Sequence, residues 1–290
     1  MRMIPLNGSA IMGKLTVASI STCLLLTLSA CMPESSTKES TAKPAEQTQT
    51  LRIAAAANLS DVLPSIIDDY ESDKSIAKQN IEVTYASSGK LYAQIKAGAP
   101  YDVFLSANQA FPSKLAAERP ANAPAQNNLS HKPFTYTQGQ LALYSVTKSL
   151  EAFNSTRLND VLTSSPNSKI AIANPELAPY GASAKAYLES QNAYPILNKQ
   201  KRLIQAENIG QAFQYVHTGS VDYGLVAQSQ LIAIKAKPEQ FITLTPVSYP
   251  AILQDGIVIS DSSLATDFTH YLRSNAGQQH FLQAGYLPVQ

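Results

Sequence analysis

Apolar residues in this chain alternate between short solid runs and stripes of helical spacing. Leu51 to Ala57 is a small apolar run, and Leu59, Val62, Leu63, Ile66, Ile67 and Tyr70 follow it three and four apart. The first pattern predicts a buried strand and the second the inward face of a helix. Asn58 or Ser60 is placed to cap that helix, and Pro64 falls near its first turn, where a missing N–H costs little. Ile81 to Tyr85 predicts the next strand, Leu91 with Ile95 a helix after Ser88 that stops at Gly98-Ala99-Pro100, and Asp102 to Ser106 a third strand. Ala121 to Pro133, rich in Ala, Pro, Asn and Gln, predicts a surface loop. Beyond it, strands are predicted at Gln140 to Val146, Lys169 to Ala173 and Asp222 to Ala227. Helices follow Gly181, with Ala184, Tyr187 and Leu188 inward, and Asn208, with Ile209, Ala212, Phe213 and Val216 on one face. Tyr249 to Ser260 predicts a return strand with a turn at Gln254-Asp255-Gly256, and two closing helices span roughly Ser262 to Ser274 and Gly277 to Ala284. This alternation predicts an α/β protein of two lobes, each a mainly parallel sheet flanked by helices, with a ligand cleft between them at the carboxyl ends of the strands. Residues 51–137 with 238–290 form the first expected lobe and 138–237 the second.

Four strand-to-helix turns hold the candidate chemistry. They are Ala54-Ala55-Ala56-Ala57-Asn58, Ala86-Ser87-Ser88-Gly89, Pro179-Tyr180-Gly181 and Glu207-Asn208-Ile209-Gly210. The first turn of a helix carries unpaired N–H groups and the positive end of the macrodipole, so several such turns facing one cleft make an anion cage from neutral donors. Lys90 is the one cation beside them. A small oxyanion is therefore the expected guest.

The ends and the charge balance refine the picture. Arg2 and Lys14 are the only charges before an apolar stretch from Leu15 to Leu28, the pattern of a secretion signal. The stretch closes on Leu28-Ser29-Ala30-Cys31, which resembles the lipobox of bacterial lipoproteins. That resemblance implies removal of residues 1–30 and a lipid on Cys31, with the protein anchored on the periplasmic side of a bacterial membrane. Residues 31–50 are mostly Ser, Thr, Glu, Lys, Gln and Pro, a composition that predicts a disordered tether. Cys23 and Cys31 are the two cysteines, so no disulfide is expected in the exported domain. Of 22 basic residues two leave with the signal, against 21 acidic ones, for a net charge of −1. Such a balance gives no basic footprint for nucleic acid.

The residues resemble a known family, the periplasmic molybdate-binding proteins of ABC transporters. The resemblance rests on Ala-Ala-Ala-Asn-Leu-Ser at 55–60, Tyr85-Ala86-Ser87-Ser88-Gly89-Lys90-Leu91, and Ala97 to Ala107 with its Gly98-Ala99-Pro100-Tyr101-Asp102 core. It extends to Ala173-Asn174-Pro175-Glu176 leading to Pro179-Tyr180-Gly181, and to the closing Gly285-Tyr286. It implies a two-lobed periplasmic-binding-protein fold and a binding protein rather than an enzyme. A tetrahedral molybdate or tungstate would be held through its oxygens without a further cofactor, then passed by a monomer to permease subunits. It also implies the ligand set. Asn58 would give its side-chain NH₂ and its own N–H, Ser88 its hydroxyl and N–H, Tyr180 an N–H and its phenol, and Ile209 and Ala57 an N–H each. Ala227 stands where much of the family has a donating Tyr.

Two other readings compete. One is a receptor for another tetrahedral oxyanion such as sulfate on the same scaffold. The other is a serine acyl-transferring enzyme, since Ser87-Ser88-Gly89-Lys90 has the Ser-x-x-Lys spacing of penicillin-binding proteins and β-lactamases. No Ser-Asp-Asn or Lys-Thr-Gly accompanies it.

Overall fold

The computed structural model describes residues 50–73, 80–118, 131–151 and 167–289. The expected signal, the tether up to residue 49 with its lipidated Cys31, and most of the loop expected over 121–133 lie outside these residues, while Thr50, expected in the tether, belongs to the first strand. Strand β1 (Thr50–Ala56) runs parallel to β2 (Asn80–Ala86) and β3 (Val103–Leu105). Helices α1 (Leu63–Asp73), α2 (Ser88–Lys96) and α3 (Ala110–Ala117) follow these strands in turn. Leu51, Ile53 and Ala54 to Ala56 are buried. Ala at three successive positions lets helices approach the strand from both faces. The stripe Leu59, Val62, Leu63, Ile66 and Tyr70 is buried too, while Ile67 is half-buried at its margin.

The chain leaves this sheet along β4 (Phe134–Gly139) and, after the single residue Gln140, enters the second as β5 (Leu141–Tyr144). The second sheet then adds β6 (Ile170–Ala173), helices α4 (Pro179–Ser190) and α5 (Tyr194–Lys199), β7 (Leu203–Ala206), α6 (Ile209–His217), β8 (Tyr223–Ala227) and α7 (Gln228–Ala233). Its last strand is β9 (Phe241–Thr243). The chain returns to the first sheet as β10 (Ile252–Val258) and closes with α8 (Ser263–Leu272) and α9 (Asn275–Gln283).

Among the described residues the strand orders are β2-β1-β3-β10-β4 and β7-β6-β8-β5-β9. The two sheets share one plan. Three neighbouring strands are parallel, and the strand that arrives from the other lobe pairs antiparallel with them. Both sheets are therefore mixed, because each crossover strand enters from the opposite end. Phe241 to Thr243 pairs with β5 of the second sheet, so the return crossing lies between residues 243 and 252 rather than at the expected 237/238. At the other crossing, pairing with β10 keeps residues 138 and 139 in the first sheet.

Two local expectations are corrected. Gln254-Asp255-Gly256 is no turn: β10 runs through it, with a register shift between Gln254 and Asp255 against β4. Asn58 does not cap α1. It sits in a 3-10 turn, Ala57–Leu59, with its side chain buried, and α1 begins only at Leu63.

Candidate functional site

All five residues expected to hold the guest, Ala57, Asn58, Ser88, Tyr180 and Ile209, line one small cavity. The first three come from the first sheet's turns and the last two from the second's, so the cavity lies between the lobes. Ala56, Ala86, Ser87, Ala107, Ala178, Pro179 and Asn208 complete its wall, and none of the lining residues is charged. Its empty space amounts to about 190 Å³, part of it open to solvent. A roomier pocket, of about 710 Å³ by the same measure, lies near the C-terminal end of α2, between Ile95, Lys96, Leu115, Glu118, His131 and Ile257, with no helix N-terminus in its wall.

The helix starts keep their donors free in a sequence-specific way. Ser87, the N-cap of α2, makes no side-chain cap bond, and Ala178, the N-cap of α4, has no side chain able to make one. Pro179 at the start of α4 has no N–H to satisfy. At α6 the Asn208 side chain accepts only from the Gln211 N–H at 2.9 Å. The first-turn N–H groups of Ser88, Tyr180 and Ile209 are of the kind that a helix leaves without an intrahelical partner. Small side chains from Ala57, Ala86, Ala107 and Ala178 let a guest reach that backbone.

The Ser88 hydroxyl accepts the Ala107 N–H at 2.9 Å, which orients the oxygen and leaves its own hydrogen to donate. Asn58 differs from the expectation. Its Nδ2 donates to Gln254 Oε1 and to the Tyr286 hydroxyl, both at 3.0 Å, so both amide hydrogens are spent inside the protein. Tyr286 in turn donates to the Asn58 carbonyl at 2.8 Å. What Asn58 retains for a guest is its backbone N–H. The Tyr180 phenol is likewise drawn into this network, accepting from Gln254 Nε2 at 3.3 Å. It lies so close to Gly139 that a Cβ there would stand 2.1 Å from the phenol oxygen. Tyr136 donates toward the Ser106 carbonyl and Gln254 Oε1, at 2.9 and 3.1 Å.

Burial pushes the Tyr136 and Tyr180 phenols well above their ordinary range, and pushes Tyr286 up to about 12. All three therefore stay neutral beside the cavity, where a phenolate would repel an anion. Ala227 is fully buried at the start of α7, its N–H donating to Gln230 Oε1 at 3.1 Å, and it is not part of the cavity wall.

Charge stands only beside the cage. Glu207 Oε1 accepts the Ser87 hydroxyl at 2.8 Å and lies 3.9 Å from Lys90 Nζ. In the Ser-x-x-Lys motif, the serine hydroxyl and the lysine therefore both meet this carboxylate. From the sequence, Glu207 and Gln254 stand only as turn residues and Tyr286 only as part of the family resemblance, and Tyr136 has no expected role. Their partners lie up to 228 residues away, and no local pattern marks such contacts.

Comparison with known proteins agrees with this architecture. Residues 51–287 match the family of bacterial extracellular solute-binding proteins. The molybdate-binding protein ModA of Rhodobacter capsulatus is 30% identical over 212 residues, 71% of this chain and 77% of that protein. ModA of Azotobacter vinelandii is 28% identical over 246 residues, covering 83% of this chain and 91% of that one. The solved periplasmic molybdate-binding protein of Azotobacter vinelandii superposes with a TM-score of 0.71 at 28% identity, over 83% of this chain and all of that one. With the match spanning both lobes and the two-sheet architecture alike, the chain belongs to the bacterial extracellular solute-binding proteins.

Proposed function

We propose that this protein captures molybdate or tungstate outside the cytoplasm and delivers it to the permease of an ABC transporter, making and breaking no covalent bond. One observation carries the reading: residues from four separate turns, two in each lobe, line one cavity whose wall has no charged residue. Backbone N–H groups of Ala57, Asn58, Ser88, Tyr180 and Ile209 and the Ser88 hydroxyl are the proposed ligand set. Hydrogen bonds to an ion contribute about 1.5 to 3 kcal/mol each, so six give roughly 9 to 18 kcal/mol gross. Micromolar to nanomolar capture needs only about 8 to 12 kcal/mol, and the surplus offsets desolvation and lobe closure.

A cage rich in donors also selects by protonation, because the O–H of hydrogen phosphate would turn a hydrogen, not an acceptor lone pair, toward one of them. The names of the Rhodobacter and Azotobacter relatives point to molybdate, and tungstate shares its shape and charge. The exported chain acts in this reading as a monomer held to its membrane by lipid on Cys31.

Calorimetric titration with molybdate, tungstate, sulfate and phosphate tests the assignment. Binding of the two metal oxyanions with sulfate and phosphate silent is expected. No heat from either metal oxyanion would overturn the reading, and sulfate as the tightest guest would reassign the receptor. Labelling of Ser87 by a fluorescent penicillin would restore the acyl-transfer alternative.

A further inference from the structure

A carboxylate beside an anion cage is electrostatically out of place, and Glu207 is the residue before the cage wall resumes at Asn208 and Ile209. Its neighbours show what it does. Oε1 accepts the hydroxyl of Ser87 at 2.8 Å and faces Lys90 Nζ at 3.9 Å, and both partners belong to the opposite lobe. Within its own lobe, Oε2 accepts from Asn208 Nδ2, and the Glu207 N–H donates to Gln211 Oε1 at 2.7 Å, which aims the side chain across the cleft. Beside this cluster the Gly89 N–H donates 2.8 Å to the Leu177 carbonyl, a second bond from α2 to the other lobe.

We infer that Glu207 is a positioning residue that latches the two lobes shut over the guest. The inference rests on the oxyanion reading above. Among the described residues the chain passes between the sheets at Gln140 and between residues 243 and 252, so parting the lobes about these crossings separates Glu207 from Ser87 and Lys90. The latch has a second effect. A serine at an N-cap ordinarily accepts from its own helix's N–H groups, whereas Ser87 makes no such bond and reaches to Glu207. The same contact that closes the cleft thus takes the place of the cap bond that Ser87 would make within α2. Lys90 offsets the repulsion between Glu207 and a doubly negative guest without itself entering the cavity wall.

Latch and simple bystander predict opposite signs. A carboxylate that only repels the ion lowers affinity, so deleting it would tighten binding; a latch, when deleted, loosens it. Glu207→Ala and Glu207→Gln are to be titrated calorimetrically with molybdate against the wild type, with thermal melting of the unliganded proteins as a check on folding. Glu207→Ala is expected to weaken binding about 3- to 30-fold, the size of a charge-assisted bond discounted for a partly exposed site. Glu207→Gln, which still accepts from Ser87 but no longer attracts Lys90, should lose less. Lys90→Ala should weaken the wild type because it leaves Glu207 unneutralised next to the anion. Equal or tighter molybdate binding by Glu207→Ala, with wild-type binding intact, overturns the latch. A wild type silent to both metal oxyanions removes the ligand reading itself, and the latch with it.

Discussion

At the scale of single residues, the cage depends on which hydrogens are already committed. The Ser88 oxygen accepts from Ala107 and so keeps a hydrogen to donate. Ser88→Ala should therefore weaken molybdate binding by about 1.5 to 3 kcal/mol, a factor of roughly 10 to 150, read by titration calorimetry. Asn58 behaves in the opposite way, because Gln254 and Tyr286 take both amide hydrogens. Gln254 is the joint of this network, fully buried and bonded to Asn58 and Tyr136 of one lobe and Tyr180 of the other. Gln254→Leu removes that joint and leaves buried polar groups unpaired, so the unfolding free energy should fall by about 1 to 3 kcal/mol in a denaturant titration. Affinity should fall as well, since the first turn of α4 loses its tether to Asn58.

At the scale of elements, the start of α2 is the most constrained. Gly89 faces the backbone of Leu177 across the cleft, and a Cβ there would stand 3.1 Å from both the Leu177 Cα and its carbonyl oxygen. Backbone of another lobe cannot turn aside as a side chain does, so Gly89→Ala should hold the lobes slightly apart. The cost is about 1 kcal/mol of overpacking, roughly a fivefold rise in Kd. Helical Ala is preferred to Gly by about 0.5 to 1 kcal/mol, so melting of the unliganded protein should be unchanged or higher. Affinity and stability moving in opposite directions would separate a closure contact from an ordinary packing defect. The closing segment after α9 works at the same scale. Gln140 donates to the Gly285 carbonyl at 2.8 Å and Leu287 bridges to Gln138, which brings the Tyr286 hydroxyl under Asn58.

For the whole molecule, buried tyrosines set the alkaline limit. Burial pushes Tyr85, Tyr187 and Tyr286 up to about 12, and holds Tyr136 and Tyr180 well above their usual range. Each of these groups binds its proton more tightly folded than unfolded. Their contribution is complete below the unfolded value of about 10 and is lost as pH rises through the folded values, so stability should decline from about pH 10 upward. Denaturant titrations at stepped pH, with phenolate absorbance followed in parallel, should show ionisation of the buried phenols coinciding with loss of structure. Early ionisation with structure intact would contradict the buried network. No lining residue of the cavity other than Tyr180 is titratable, so affinity between about pH 6 and 9 should follow only the protonation of the oxyanion.

The chain itself determined the alternation of strand and helix, the small-residue turns and the order in which they come. The Ser87-Ser88 pair, Pro179 with Tyr180, and Asn208 with Ile209 announce helix starts, and Ala54 to Ala57 the end of a buried strand, because such preferences act over four or five residues. That is why five positions lining the cavity could be named from the sequence. The tertiary structure decided which of their hydrogens remain. Whether the Asn58 amide faces a guest or Gln254, whether Ser87 caps its own helix or reaches Glu207, and where the chain recrosses between lobes depend on pairings more than a hundred residues apart. Local preference reports where a donor is made; only the packing of both lobes against each other determines what it is left to bind.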